Sequence, residues 1–141
     1  MKNNINLLSH RGKEPEEGVL YLVGTPIGNL SDLSSRAENI LSNVSLIACE
    51  DTRQTKKILN KFGIKNELII FNKHNSKFLV PKIITLLKEG RSIAIVSDAG
   101  LPTISDPGEE LVKNIREEGF DAVCIPGPCA ALTALVSSGL P

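Results

Sequence analysis

The chain has no tryptophan, one tyrosine and four phenylalanines. So few aromatic rings disfavour a single-strand nucleic-acid platform built from successive stacked bases. Its three cysteines, Cys49, Cys124 and Cys129, are odd in number and lack CxxC spacing, and only His10 and His74 stand beside them as soft ligands. Neither disulfides nor a metal site are expected from that set. No apolar run approaches the roughly 20 residues of a membrane helix, and the stretch from Ser92 to Ser97 is among the longest. Met1 to Ser9 carries one lysine and isolated Ile5, Leu7 and Leu8. Without a continuous apolar core it does not read as a secretory signal, so a cytoplasmic location and no membrane association are expected.

What is present is an ordinary globular composition, 41% hydrophobic and 23% charged over 141 residues. Disorder, collagen and coiled coil are poor fits to those proportions, and the length corresponds to one domain. The net charge of zero conceals an asymmetry. Between Thr52 and Lys88 lie nine basic residues against Glu67 alone, a net +8, while the rest of the chain, with seven basic and fifteen acidic residues, carries −8. Such a split is expected of a basic surface facing a polyanion, or of lysines that are simply solvated.

Residues 1–17 are polar, without periodicity, and read as a flexible lead-in. From Gly18 onward short apolar runs alternate with helical patterns. Val19 to Val23, Leu46 to Cys49, Glu67 to Phe71, Ile93 to Val96 and Ala122 to Ile125 read as strands. Between them apolar residues recur at helical spacing, as in Leu33, Ala37, Ile40 and Leu41, or Leu111, Val112 and Ile115, and a last helix is expected from Cys129 to Ser138. Gly63, Gly90 and Gly119 follow three of these patterns as helix stops, and Asp51 precedes the second as a cap. The alternation predicts a three-layer, doubly wound α/β/α domain on a five-stranded, mainly parallel sheet.

In such a sheet ligands bind beyond the carboxyl ends of the strands, and the unusual loops fall there. The first strand is followed by Gly24-Thr25-Pro26-Ile27-Gly28-Asn29. This loop is either a tight turn or a ligand cradle, and it is not the GxGxxG of a nicotinamide site. The fourth strand enters twelve residues from Ser97 to Gly108, longer than the roughly 2 to 6 residues of a simple connection. Asp98 in this loop can accept hydrogen bonds from a small molecule, whereas Asp106, beside Pro107, fits a helix cap. The fifth strand enters the rigid turn Pro126-Gly127-Pro128 and a helix opening on the small residues Ala130 and Ala131. Glu50, Asp51 and Arg53 follow the second strand, and His74 with Asn75 follows the third. His74 reads as a base, a phosphate contact or a solvated side chain. Arg53, Lys57 and Lys61 recur every four residues, on one helix face suited to a phosphate backbone.

Taken in order, Leu22-Val23-Gly24-Thr25-Pro26-Ile27-Gly28-Asn29-Leu30, Cys49-Glu50-Asp51-Thr52-Arg53, His74-Asn75, Ser97-Asp98-Ala99-Gly100-Leu101-Pro102 and Pro126-Gly127-Pro128 resemble the small-subunit ribosomal RNA methyltransferase I family. That family belongs to the tetrapyrrole methylase-like superfamily, and the likeness covers residues 18–141, matching the N-terminal domain of a two-domain fold. The resemblance implies S-adenosylmethionine as cofactor and 2′-O-methylation of a cytidine in the decoding region of 16S rRNA, within the small ribosomal subunit. It also implies a homodimer for the full-length protein. By similarity Asp98, Ala99, Gly100, Pro102, Ser105, Asp106, Pro126, Gly127 and Pro128 would contact the cofactor. Thr25, Pro26, Gly28, Asn29, Arg53, Lys57 and Lys61 would face the RNA. Glu50 and Asp51, then His74, are the candidates to take the hydroxyl proton. A tetrapyrrole methyltransferase of the same superfamily and a non-catalytic RNA-binding module are the alternatives.

Overall fold

The computed structural model describes residues 13–104 and 107–141. Five strands form one sheet, β1 Val19–Val23, β2 Leu46–Cys49, β3 Leu68–Ile70, β4 Ile93–Ile95 and β5 Asp121–Ile125, in the order β3-β2-β4-β1-β5. Every pairing is parallel, so the sheet expected to be mainly parallel is wholly so. The helices are α1 Ser35–Asn43, α2 Thr52–Lys61, α3 Ser76–Lys88, α4 Gly108–Glu117 and α5 Ala130–Ser138, with a single 3₁₀ turn at Leu30–Asp32.

Strands covered on both faces must be apolar at every position rather than at alternate ones, and all residues of β1, β2 and β4 are buried. Alternation survives as a choice of layer. Val19, Tyr21 and Val23 pack with Ile40 and Leu41 of α1 and Ile58 and Leu59 of α2. Leu20 and Leu22 pack with Ile83 and Leu87 of α3 and Leu111 and Ile115 of α4. Two helices therefore cover each face, as the doubly wound reading requires. No residue of α5 is buried.

Local chemistry sets the element ends. Ser34 caps α1 by accepting from the Ala37 N–H at 3.0 Å, and Asp51 caps α2 by accepting from that of Arg53 at 2.9 Å. The helix stops expected at Gly63, Gly90 and Gly119 are found, each at positive φ. Pro81 lies inside α3, where it leaves the carbonyl four residues back without a helical partner.

The last residues of the segment expected as a lead-in are held against the fold. Glu14 pairs with Arg36 at 2.7 Å and accepts from the Asn39 amide through its carbonyl, while the Glu16 N–H donates to the Tyr21 hydroxyl at 2.7 Å. That hydroxyl sits on a wholly buried ring, and burial pushes the Tyr21 phenol above its ordinary range. The remainder of the lead-in, residues 1–12, lies outside the described residues.

The chain leaves β1 toward β2 on one side of the sheet and leaves β4 toward β5 on the other. β1 and β4 are neighbours, so the reversal of strand order opens a crevice beyond their carboxyl ends, where open α/β sheets bind ligands.

Candidate functional site

Main-chain contacts tie the loops at this crevice together. Thr25 and Gly100 exchange two hydrogen bonds, N–H to carbonyl at 2.9 and 3.1 Å, joining the turn after β1 to the long loop after β4. The turn after β5 joins through two glycines. A Cβ on Gly24 would lie 2.6 Å from the Cα of Gly127, and one on Gly127 would lie 2.7 Å from the Cα of Gly24. Only residues without side chains allow that approach. Gly100, at φ +79, is held close to the Pro128 carbonyl, 3.2 Å from where its Cβ would be.

Beneath these loops lies a cavity of about 590 Å³, within the size range of small-molecule sites. Of the residues expected at the cofactor, Asp98, Ala99, Gly100 and Pro102 line it. Pro126, Gly127 and Pro128 are outside the lining, and Gly127 and Pro128 contribute the backbone contacts just described. Ser105 and Asp106 lie outside the described residues. Phe71, Ile27 and Thr103 are among the wall residues that the sequence does not single out as site residues. Phe71, nearly fully buried, had the signature of an ordinary strand end, and Ile27 and Thr103 sit in loops that were flagged for other positions. Thr103 has φ +68, a left-handed conformation that β-branched residues seldom adopt and that costs on the order of 1–3 kcal/mol. It packs on Gly108, where a Cβ would approach its Cγ2 to 2.5 Å.

The three candidate bases separate. Glu50 is exposed and lines the cavity. Asp51 does not line it, because its carboxylate caps α2 and pairs with Arg53, at 3.2 Å to Nε and 3.0 Å to Nη2. That guanidinium holds the Asp51 carboxyl below the usual carboxylate range, which weakens it as a base. His74 is exposed and away from the lining, on the turn between β3 and α3. Cys49 is unsuited to nucleophilic chemistry: it is buried, burial pushes its thiol up, and its Sγ–H donates to the Ile69 carbonyl at 3.6 Å.

A second, smaller depression of about 300 Å³ adjoins the first. Pro26, Gly28 and Lys57, three residues expected at the RNA, meet there, and Asp98 and Ala99 border both hollows. Arg53 and Lys61 are exposed on α2 as expected. Two placements differ. Thr25 was expected to face the nucleotide, yet it is wholly buried and its hydroxyl lies 3.3 Å from the Gly100 carbonyl; it serves to lock the loops together. Asn29 accepts from the Ser31 N–H at 3.0 Å and caps the 3₁₀ turn. Among the described residues no group of three His, Cys, Asp or Glu side chains could hold a metal ion, and no helix is long and apolar enough to cross a membrane.

A family model described as tetrapyrrole (corrin/porphyrin) methylases matches residues 19–141. The ribosomal RNA small subunit methyltransferase I of Halalkalibacterium halodurans is 53% identical over 126 residues, 89% of this chain and 44% of that protein. Its Bacillus subtilis counterpart is 52% identical over 133 residues, 94% of this chain and 45% of that protein. The chain thus spans about half the length of the curated relatives it matches. Among solved structures, uroporphyrin-III-C-methyltransferase from Thermus thermophilus superposes with a TM-score of 0.64 at 25% identity, over 88% of this chain and 53% of that one. A cobalt precorrin-4 methyltransferase superposes with a TM-score of 0.68 at 16% identity, over 88% of this chain and 52% of that one, a likeness of fold.

Proposed function

The chain belongs to the tetrapyrrole (corrin/porphyrin) methylase family, and on that premise we propose that it forms the cofactor-holding part of an S-adenosylmethionine-dependent methyltransferase. Its proposed substrate is the 2′-hydroxyl of a cytidine in the decoding region of 16S rRNA. The observation that carries this reading is the pair of adjoining hollows that share Asp98: one has the size of a small organic ligand, and the other opens on Lys57 and the basic face of α2. A donor and a polyanionic acceptor require that adjacency. The rRNA relatives, at about 50% identity, also stand nearer to this chain than the uroporphyrin enzyme at 25%. The likeness to that enzyme keeps a tetrapyrrole as the second reading.

The cavity suits S-adenosylmethionine in volume, in its apolar wall of Ile27 and Phe71, and in an exposed carboxylate at Asp98 able to accept from ribose hydroxyls or an amino group. When bound, the cofactor supplies a methyl group on a sulfonium whose sulfur keeps the bonding pair as the methyl departs. The Ala99–Gly100–Pro102 backbone and Asp98 would orient it, since in-line transfer depends chiefly on alignment. Glu50 would accept the hydroxyl proton as the new oxygen–carbon bond forms, being the candidate base at the cavity wall. Lys57 and Arg53 would bind flanking phosphates. A cytoplasmic location and a homodimeric full-length protein go with this reading.

Calorimetric titration with S-adenosylmethionine tests it. Binding is expected, and Asp98→Asn is expected to weaken it by about tenfold, the loss of a charge-assisted hydrogen bond. Wild-type affinity in that variant removes Asp98 from the site, and absence of binding by the folded chain leaves an RNA-binding module as the better reading. Methyl transfer to small ribosomal subunits rather than to a porphyrinogen then separates the two substrates.

A further inference from the structure

All five aromatic residues of the chain fall within the described part, and four of them are buried or half-buried: Tyr21, Phe62, Phe71 and Phe120. The fifth, Phe78, is 80% exposed. It sits in the first turn of α3, at the edge of the sheet that carries the cavity, and Phe71, a few residues earlier, is part of the cavity wall. Its surroundings are cationic. From Leu68 to Lys88 the chain has four lysines and no acidic residue; Lys88 pairs with Glu118 of α4 at 3.2 Å, while Lys73, His74, Lys77 and Lys82 are all exposed. Lys82 lies one helical turn beyond Phe78 on α3, and His74 lies in the turn that precedes the helix.

The turn that presents this group is rigid. The Asn72 side-chain oxygen accepts from the N–H groups of His74 and Asn75 at 2.9 and 3.1 Å. Asn75 in return accepts from the Asn72 N–H at 2.9 Å and donates its amide to the Ile70 carbonyl at 2.8 Å. Two asparagines thus pin the β3–α3 turn before any partner arrives, which lowers the ordering cost of binding. A bare phenyl ring among cations, beside a pinned turn, has both components that single-stranded nucleic acid requires: a face for a base and charge for the adjoining phosphates.

We propose that Phe78 is a stacking platform for one unpaired RNA base, with Lys77 and Lys82 holding the flanking phosphates. The proposal rests on the RNA reading above and deepens it by assigning a base contact outside the methyl-transfer cavity. Few aromatics in the sequence argued against a run of stacked bases; the fold leaves one ring in position for a single base.

The probe is a labelled single-stranded RNA of about ten nucleotides, within the span such grooves cover, with a duplex of equal length beside it. Affinity is measured by anisotropy across a salt series. Phe78→Ala and Phe78→Leu are expected to weaken single-strand binding by about tenfold, within the range for one base on a ring, with the salt slope unchanged. Lys82→Ala should lower the slope instead. Phe78→Trp should retain affinity and, because the chain has no other tryptophan, give an emission that the RNA quenches. If the Ala and Leu variants bind like wild type while Lys82→Ala weakens binding, the stacking proposal is overturned and the RNA reading stands. If wild type binds no RNA even at low salt, the RNA reading fails and takes the proposal with it. If Phe78→Ala instead dissociates a dimer in sedimentation and leaves RNA affinity intact, the ring belongs to an interface between copies, and the proposal is wrong.

Discussion

Replacing Gly24 by alanine would place a methyl group 2.6 Å from the Cα and 2.8 Å from the N of Gly127, and 3.1 Å from Leu101 Cδ2. Carbon atoms prefer about 3.5–4.0 Å, so the turns after β1 and β5 must part by about 1 Å. They cannot part freely, since the Gly24 N–H donates to the Ile125 carbonyl at 3.1 Å and Val23 is in register with Ile125. Overpacking of this kind costs about 2 kcal/mol. At about 3 °C per kcal/mol for a chain of this size, the melting temperature should fall by about 6 °C. Gly63→Ala is the control, because Gly63 has φ +65 but nothing within 4 Å of its missing Cβ; it should lose about 1 kcal/mol from backbone strain alone. Calorimetric melting and ligand titration together separate the two effects. Gly24→Ala should weaken ligand binding as well, because the turn it displaces carries the Pro128 carbonyl against Gly100 at the cavity, whereas Gly63→Ala should leave binding unchanged. A Gly24→Ala protein melting within about one degree of wild type would show that these turns yield without cost, and the locked-loop account would fail.

Asp51 titrates below the ordinary carboxylate range because Arg53 stabilises its anion, so its contribution to stability is present above about pH 4 and is lost as the pH falls through its lowered value. Urea melts of wild type and Asp51→Asn should therefore differ at neutral pH and converge in acid; a gap that persists in acid would assign the effect to something other than the charge. On α2, Arg53→Ala combined with Lys57→Ala should reduce the salt slope of RNA binding by about two, one for each phosphate contact removed. An unchanged slope in an RNA titration would remove this face from the interface.

The five strands, the helices between them and the parallel arrangement were legible in the sequence because each rests on local signals: apolar runs, helical spacing, Asp51 as a cap, and glycines at helix ends. Motif order carried the family as well. Boundaries moved by a residue or so, as with β3, which ends at Ile70 before Phe71, since strand ends are decided by pairing with neighbours. What the sequence could not determine is which of two adjacent polar groups reaches the cavity. Glu50 and Asp51 are equivalent in a motif, but a cap and an Arg53 pair turn Asp51 aside and leave Glu50 at the wall. Thr25 looked like a ligand contact and became a buried lock, because its position opposite Gly100 depends on a strand 70 or so residues away. Phe78 was one of four phenylalanines until packing buried or half-buried the other three. Local propensity and pattern act within a few residues and can be read directly; burial, approach between backbones and the sharing of a cavity wall arise from distant segments meeting, and only the tertiary structure decides them.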